Sequence, residues 1–125
     1  MPSRALISEK MAEFLRAISH PHRIRIIEEL YAQKGEQDVN SLQAILETSH
    51  STVSQHLSVL KAQKTVKTRK EGNKVFYRLV QSDLASWLLD GLAYIEGGLQ
   101  SEENIRLAVE EAKELWSHLP EGTSN

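Results

Sequence analysis

LQAILETSHSTVSQHLSVLKAQKTVKTRKEGNKVFYRL fills residues 42–79, and the spacing of its apolar residues changes partway along. Leu42, Ile45 and Leu46, and then Val53, Leu57 and Leu60, recur at steps of three and four, which puts them on the inner faces of two helices. The first is expected at 40–47 with Asn40 as its N-cap. The second is expected at 50–63 with Ser49 as its N-cap, because a short side-chain oxygen there can accept an orphan backbone N–H. Thr48, Ser49 and His50 make the tight turn between them. Past Val66 the step becomes two. VKTRK and VFYRLV flank EGNK, whose Gly72-Asn73 pair is a hairpin signal. In that hairpin Val75, Tyr77 and Leu79 would face one side, and Phe76 and Arg78 the other.

Working outward, Leu6, Met11, Phe14, Leu15 and Ile18 predict an amphipathic helix over 5–19. Pro21 suits a first helical turn and opens a second helix to about residue 33, with Ile24, Ile26, Ile27, Leu30 and Tyr31 as its apolar set. QKGEQD reads as a loop around Gly35. After the hairpin, Ser82 or Asp83 caps a helix with Leu84, Trp87, Leu88, Leu92 and Ile95 as its stripe, and Gly97-Gly98 is expected to end it. Ser101, Glu102 and Glu103 start a last helix, whose apolar face is Ile105, Ala108, Val109, Ala112, Leu115, Trp116 and Leu119. The fold class is mainly α with a β-hairpin wing, the winged helix-turn-helix pattern. The expected organisation is a winged helix-turn-helix domain over 1–98 and a helical extension over 99–125.

Charge along the chain supports a polyanion partner. The 125 residues carry a net charge of −2, yet residues 50–80 hold seven Lys and Arg against one Glu, while residues 81–125 hold nine acidic residues against two basic. A basic middle with an acidic tail keeps the excess acid away from the basic segment. There is no cysteine, which excludes disulfides, thiolate metal sites and thiol redox sensing. No apolar run approaches the ~18 residues of a membrane span, and the start lacks a signal-peptide pattern. The expected location is therefore the cytoplasm. Nucleophile motifs, P-loops and Gly-rich cofactor loops are absent, so neither an enzyme nor a cofactor is expected.

Several motifs then stand together. ISHPHRIRII at 18–27 resembles the opening motif of ArsR/SmtB-family regulators, through Pro21, Arg23, Ile26 and Ile27. The segment 42–79 resembles that family's helix-turn-helix and wing at Ser51, Ser54, His56-Leu57, Val59-Leu60, Glu71-Gly72 and Tyr77-Arg78-Leu79. The likeness covers roughly residues 6–95. It implies a dimeric transcriptional repressor that binds double-stranded DNA at an operator and lets go on sensing a signal, a small molecule or a metal. It also implies that 50–63 is the recognition helix and 66–80 the wing. The first helix and those after the wing would supply most of the homodimer interface. Ser58 stands where many relatives carry Lys or Arg, and Lys64-Thr65 replaces a common Gly-Leu.

The DNA-binding candidates are Ser51, Thr52, Ser54, Gln55, His56, Ser58 and Lys61 on the helix, with Arg69, Lys70, Asn73 and Lys74 in the wing. Hydroxyls and amides suit base edges and phosphates, and glutamine can pair bidentately with adenine. The competing reading of the same residues is a solvated polar face with no partner, and a winged-helix protein-interaction module without DNA binding is the alternative function. No metal site is expected. His50 and His56 lie six apart and do not share a helical face. His20 and His22 would need a ligand from a partner subunit, and Glu111, Glu114 and His118 read as a solvated acidic face. The family's C-terminal metal pattern finds Asp83, Ala85, Glu96 and Leu99 in one register and Gln81, Asp83, Tyr94 and Gly97 in the other.

Overall fold

The computed structural model describes residues 3–32, 35–99 and 103–117. The order is α1 (Ser3–Ile18), α2 (Pro21–Ala32), β1 (Gln37–Asp38), α3 (Val39–Leu46), α4 (His50–Ala62), β2 (Val66–Glu71), β3 (Lys74–Leu79), α5 (Asp83–Leu99) and α6 (Glu103–Ser117). The chain divides into two compact units, Met1–Val80 and Gln81–Asn125.

In the first unit Ile26, Ile27 and Leu30 of α2, Leu42 of α3, and Val53, Leu57 and Leu60 of α4 are fully buried. These are the positions the helical spacing selects, so α4 is anchored by one face only. Ser49 caps α4 as expected: its hydroxyl accepts the Thr52 N–H at 3.1 Å. The first helix of the pair is capped differently. Asp38, not Asn40, accepts the Ser41 N–H at 2.8 Å, because α3 begins at Val39 and Asp38 is the residue before its first turn.

The expected loop before α3 contains a strand. β1 pairs antiparallel with β3, Gln37 opposite Tyr77 and Asp38 opposite Phe76. The sheet is three-stranded in the order β1-β3-β2. β2 and β3 pair from Val66↔Leu79 to Glu71↔Lys74, leaving Gly72 and Asn73 as the turn. Gly72 has φ +61° there, a conformation glycine takes without a Cβ penalty.

The junction from α4 to β2 is a Schellman motif. Thr65 N–H donates to the Leu60 carbonyl and Lys64 N–H to the Lys61 carbonyl, both at 2.9 Å. Lys64 sits in the left-handed region at φ 59°, the geometry for which glycine is the usual residue. Thr65 is buried, and its hydroxyl has no hydrogen-bond partner among the described residues.

In the second unit α5 and α6 pack on each other. α5 runs through Gly97 and Gly98 to Leu99, against the expected stop. Glycine ends a helix where it turns left-handed, and elsewhere it costs only about 1 kcal/mol. Ala85 and Val109 are buried. Ser101, Glu102, His118 and Leu119 lie outside the described residues, as do the side chains of Ile105, Leu115 and Trp116. Among the described residues no helix is long and apolar enough to cross a membrane.

Candidate nucleic-acid interface

α4 and the wing carry the candidate residues, and the fold sorts them into three groups. On α4, Ser51, Gln55, Ser58 and Lys61 are exposed and Thr52 and Ser54 half-buried. Ser51, Gln55 and Ser58 are spaced by four and three, so they form one stripe, opposite Val53, Leu57 and Leu60. The first turn is organised by Ser49: besides capping, its hydroxyl donates to the Thr52 hydroxyl at 2.8 Å and lies 3.3 Å from that of Ser51. Three hydroxyls are thereby held at the N-terminal end of the helix, with the exposed Gln55 one turn further on. That is the end a docked recognition helix turns toward base edges.

His56 does not belong to this stripe. It is 9% exposed, because it lies three residues after Val53 and four before Leu60, on the anchored side. Its Nδ1 accepts a hydrogen bond from Nε of Arg23 on α2 at 3.1 Å, and Arg23 also donates to the Ala17 carbonyl at 2.9 Å. One guanidinium thus ties the end of α1 and the body of α4 to α2. Burial, then the neighbouring His20 and Arg23, hold the His56 imidazole below its ordinary pKa.

Within the wing, Arg69 is committed to the protein itself. Its Nε and Nη2 donate to the two carboxylate oxygens of Glu36 at 3.0 and 2.9 Å, it pairs with Glu71, and it lies 4.8 Å from the Phe76 ring centre. The pairing holds the Glu36 carboxyl below its usual range and raises the Arg69 guanidinium. A bidentate pair of this kind fixes geometry as well as charge, so Arg69 fastens β2 to the segment entering β1. Lys74 makes a looser pair with Asp38 at 3.8 Å. Lys67 and Lys70 are exposed and make no ion pair among the described residues. Asn73 is exposed at the tip. Glu36, Asp38 and Arg23 also build the site, although none of them belongs to the exposed stripe of α4. Arg23 alone had a signal, its place in the Pro21-x-Arg23 motif.

A capped, half-anchored helix following a tight turn, beside a basic antiparallel wing, defines a winged helix-turn-helix domain. Known proteins agree. A helix-turn-helix domain family matches residues 18–67. The HTH-type transcriptional repressor SmtB of Mycobacterium tuberculosis is 36% identical over 93 residues, covering 74% of this chain and 67% of that protein. The nodulation protein NolR of Rhizobium meliloti is 35% identical over 96 residues, covering 77% and 76%. The crystal structure of NolR from Sinorhizobium fredii superposes with a TM-score of 0.66 at 35% identity, covering 78% of this chain and 94% of that one. The chain belongs to the ArsR/SmtB family of winged helix-turn-helix transcriptional regulators.

Proposed function

We propose that the chain is a homodimeric repressor that lays two copies of α4 in the major groove of an operator and braces each with its wing. The observation that carries this is the stripe of Ser51, Gln55 and Ser58 on a helix whose opposite face is wholly buried. A polar face held this rigidly, with Lys61 beside it and Lys67, Lys70 and Lys74 on the wing, fits base edges flanked by phosphates. Gln55 reads a base pair, and Ser51, Thr52, Ser54 and Ser58 contact base edges or backbone. Lys70 and Lys74 meet phosphates, with Asn73 at the turn. Arg69 acts indirectly, by fixing the strand that carries them.

Exposed apolar stripes support the dimer. Ile7, Met11 and Leu15 on α1 are 64%, 50% and 42% exposed, and Tyr94 and Ile95 on α5 are 86% and 47% exposed. Contiguous exposed apolar side chains of this kind mark association surfaces. NolR and SmtB, the named relatives, are a nodulation protein and a transcriptional repressor, in keeping with gene control. A two-fold dimer reads half-sites whose centres lie about one helical turn apart, roughly 10 base pairs, or a multiple of that.

The test is binding of Gln55→Ala to a duplex selected from random sequence. Loss of a bidentate base contact should cost about 1–3 kcal/mol at one position of each half-site and leave non-specific binding unchanged. Failure of the unaltered chain to select any sequence would favour a winged-helix protein-interaction module instead.

A further inference from the structure

The fold assembles three imidazoles that the linear sequence keeps apart. His20 precedes α2, His22 lies in its first turn, and His56 comes from the middle of α4. One nitrogen of each lies within 4.8 Å of one nitrogen of both others. The ring centres are 4.4 to 5.4 Å apart. We propose that His20, His22 and His56 of a single chain form a binding site for one divalent transition-metal ion, and that the ion binds in competition with the Arg23–His56 hydrogen bond that ties α2 to the recognition helix.

The spacing suits such an ion. Nitrogens bound at about 2.0–2.1 Å in a tetrahedron stand roughly 3.4 Å apart, so the imidazoles need close by no more than about an ångström and a half. Rotation of the half-buried His20 and His22 supplies that. A neutral N₃ donor set without thiolate or carboxylate selects zinc, nickel, cobalt or copper over magnesium or calcium. Water completes the coordination from the side where His20 and His22 are partly exposed.

A second observation concerns the nitrogens themselves. His22 Nδ1 is buried and has no hydrogen-bond partner among the described residues, which is unfavourable unless something occupies the space beside it. The other two rings each use Nδ1 as an acceptor. His20 Nδ1 accepts the His22 backbone N–H at 3.0 Å, and His56 Nδ1 accepts from Arg23 Nε at 3.1 Å. A ring accepting at Nδ1 carries its proton on Nε2. A metal bound at Nε2 sends that proton to Nδ1, where it meets the Arg23 N–H donor to donor. A metal bound at Nδ1 displaces the Arg23 N–H directly. By either route the metal and the Arg23–His56 bond exclude each other, and the guanidinium must swing away from a dication. The ion therefore changes how α4 is held from behind, without touching its exposed stripe. The ligands all come from one chain and stand apart from any register of the C-terminal pattern.

The linkage to DNA rests on α4 being the recognition helix; the site itself does not, so the test has two arms. In the first, cobalt(II) is titrated into the full chain without DNA and followed by its visible absorption. The expected result is one cobalt per chain with a tetrahedral ligand-field spectrum. His22→Gln should abolish it with an unchanged far-ultraviolet circular dichroism spectrum, since the His22 imidazole makes no hydrogen bond among the described residues. His50→Gln should bind as the unaltered chain does. No cobalt spectrum, or equal binding by His22→Gln, overturns the site. In the second arm, zinc is added to the protein–DNA complex. A change in affinity of tenfold or more that His22→Gln abolishes supports the linkage. Cobalt binding with unaltered DNA affinity overturns the linkage and leaves the site standing. A chain that binds cobalt but no DNA at all refutes the proposed function and not the site.

Discussion

Replacing Ser49 by Asp separates the folding of the recognition helix from its contact with DNA. Ser49 is exposed, caps α4 at 3.1 Å through the Thr52 N–H, and stands at the end proposed to enter the groove. Ser49→Ala removes the cap and should cost about 1 kcal/mol. For a unit of this size that is roughly 4–8 °C in Tm. Ser49→Asp keeps a capping oxygen and adds a negative charge at the positive end of the helix dipole. Its stability should match or exceed that of the unaltered chain, by about 0.3–1 kcal/mol at low salt. DNA affinity should move the other way. A carboxylate about 6 Å from a phosphate is repelled by about 0.7 kcal/mol in water and about 3 kcal/mol at the lower effective dielectric of a protein surface. Affinity should then fall roughly 3- to 100-fold. Added salt should shrink the gap, because the screening length falls from about 30 Å at 0.01 M to about 10 Å at 0.1 M. Thermal melts and fluorescence anisotropy on a labelled duplex, run on one protein stock, give both numbers. A folded Ser49→Asp that binds DNA as tightly as the unaltered chain at low salt refutes the docking of this helix end.

Other consequences are more local. Lys70→Ala with Lys74→Ala should weaken DNA binding and flatten the plot of log affinity against log salt by about 0.9 for each phosphate no longer neutralised; an unchanged slope removes the wing from the interface. Thr65→Val replaces a buried, unpartnered hydroxyl with a methyl of the same shape, and a urea melt should show a gain of about 1 kcal/mol with an unchanged m-value. Asp38→Ala removes the α3 cap and should cost about 1 kcal/mol at neutral pH. The Ser41 N–H holds the Asp38 carboxyl below its ordinary 3.8, so its contribution is present above that pH and fades as acid protonates it. Asp38→Ala should therefore lose less stability than the unaltered chain between neutral pH and pH values below 3.8.

The sequence made some of this legible and concealed the rest for physical reasons. α4, its Ser49 cap and the Gly72 turn follow from period and local hydrogen bonding, and they form as read. His56 was legible as buried, since it lies beside Leu60 and Val53 on the helical wheel, but its place in the family's recognition-helix motif put it among the DNA-binding candidates. β1 was not legible: two residues, Gln37 and Asp38, have no strand pattern of their own and become a strand only by pairing with β3. Arg69 looked like a phosphate ligand because charge alone does not show that Glu36, 33 residues away, already holds it. Sequence spacing pairs the histidines as His20 with His22 and His50 with His56, and only packing of α2 on α4 brings His56 to His20 and His22.

Selection of a binding sequence from random duplexes, followed by affinity at several salt concentrations, tests the central claim most directly. The account predicts enrichment of one two-fold-symmetric sequence with half-site centres about 10 base pairs apart or a multiple of that, bound with an affinity that falls steeply and log-linearly with salt. No enrichment, or an affinity indifferent to salt, would contradict it.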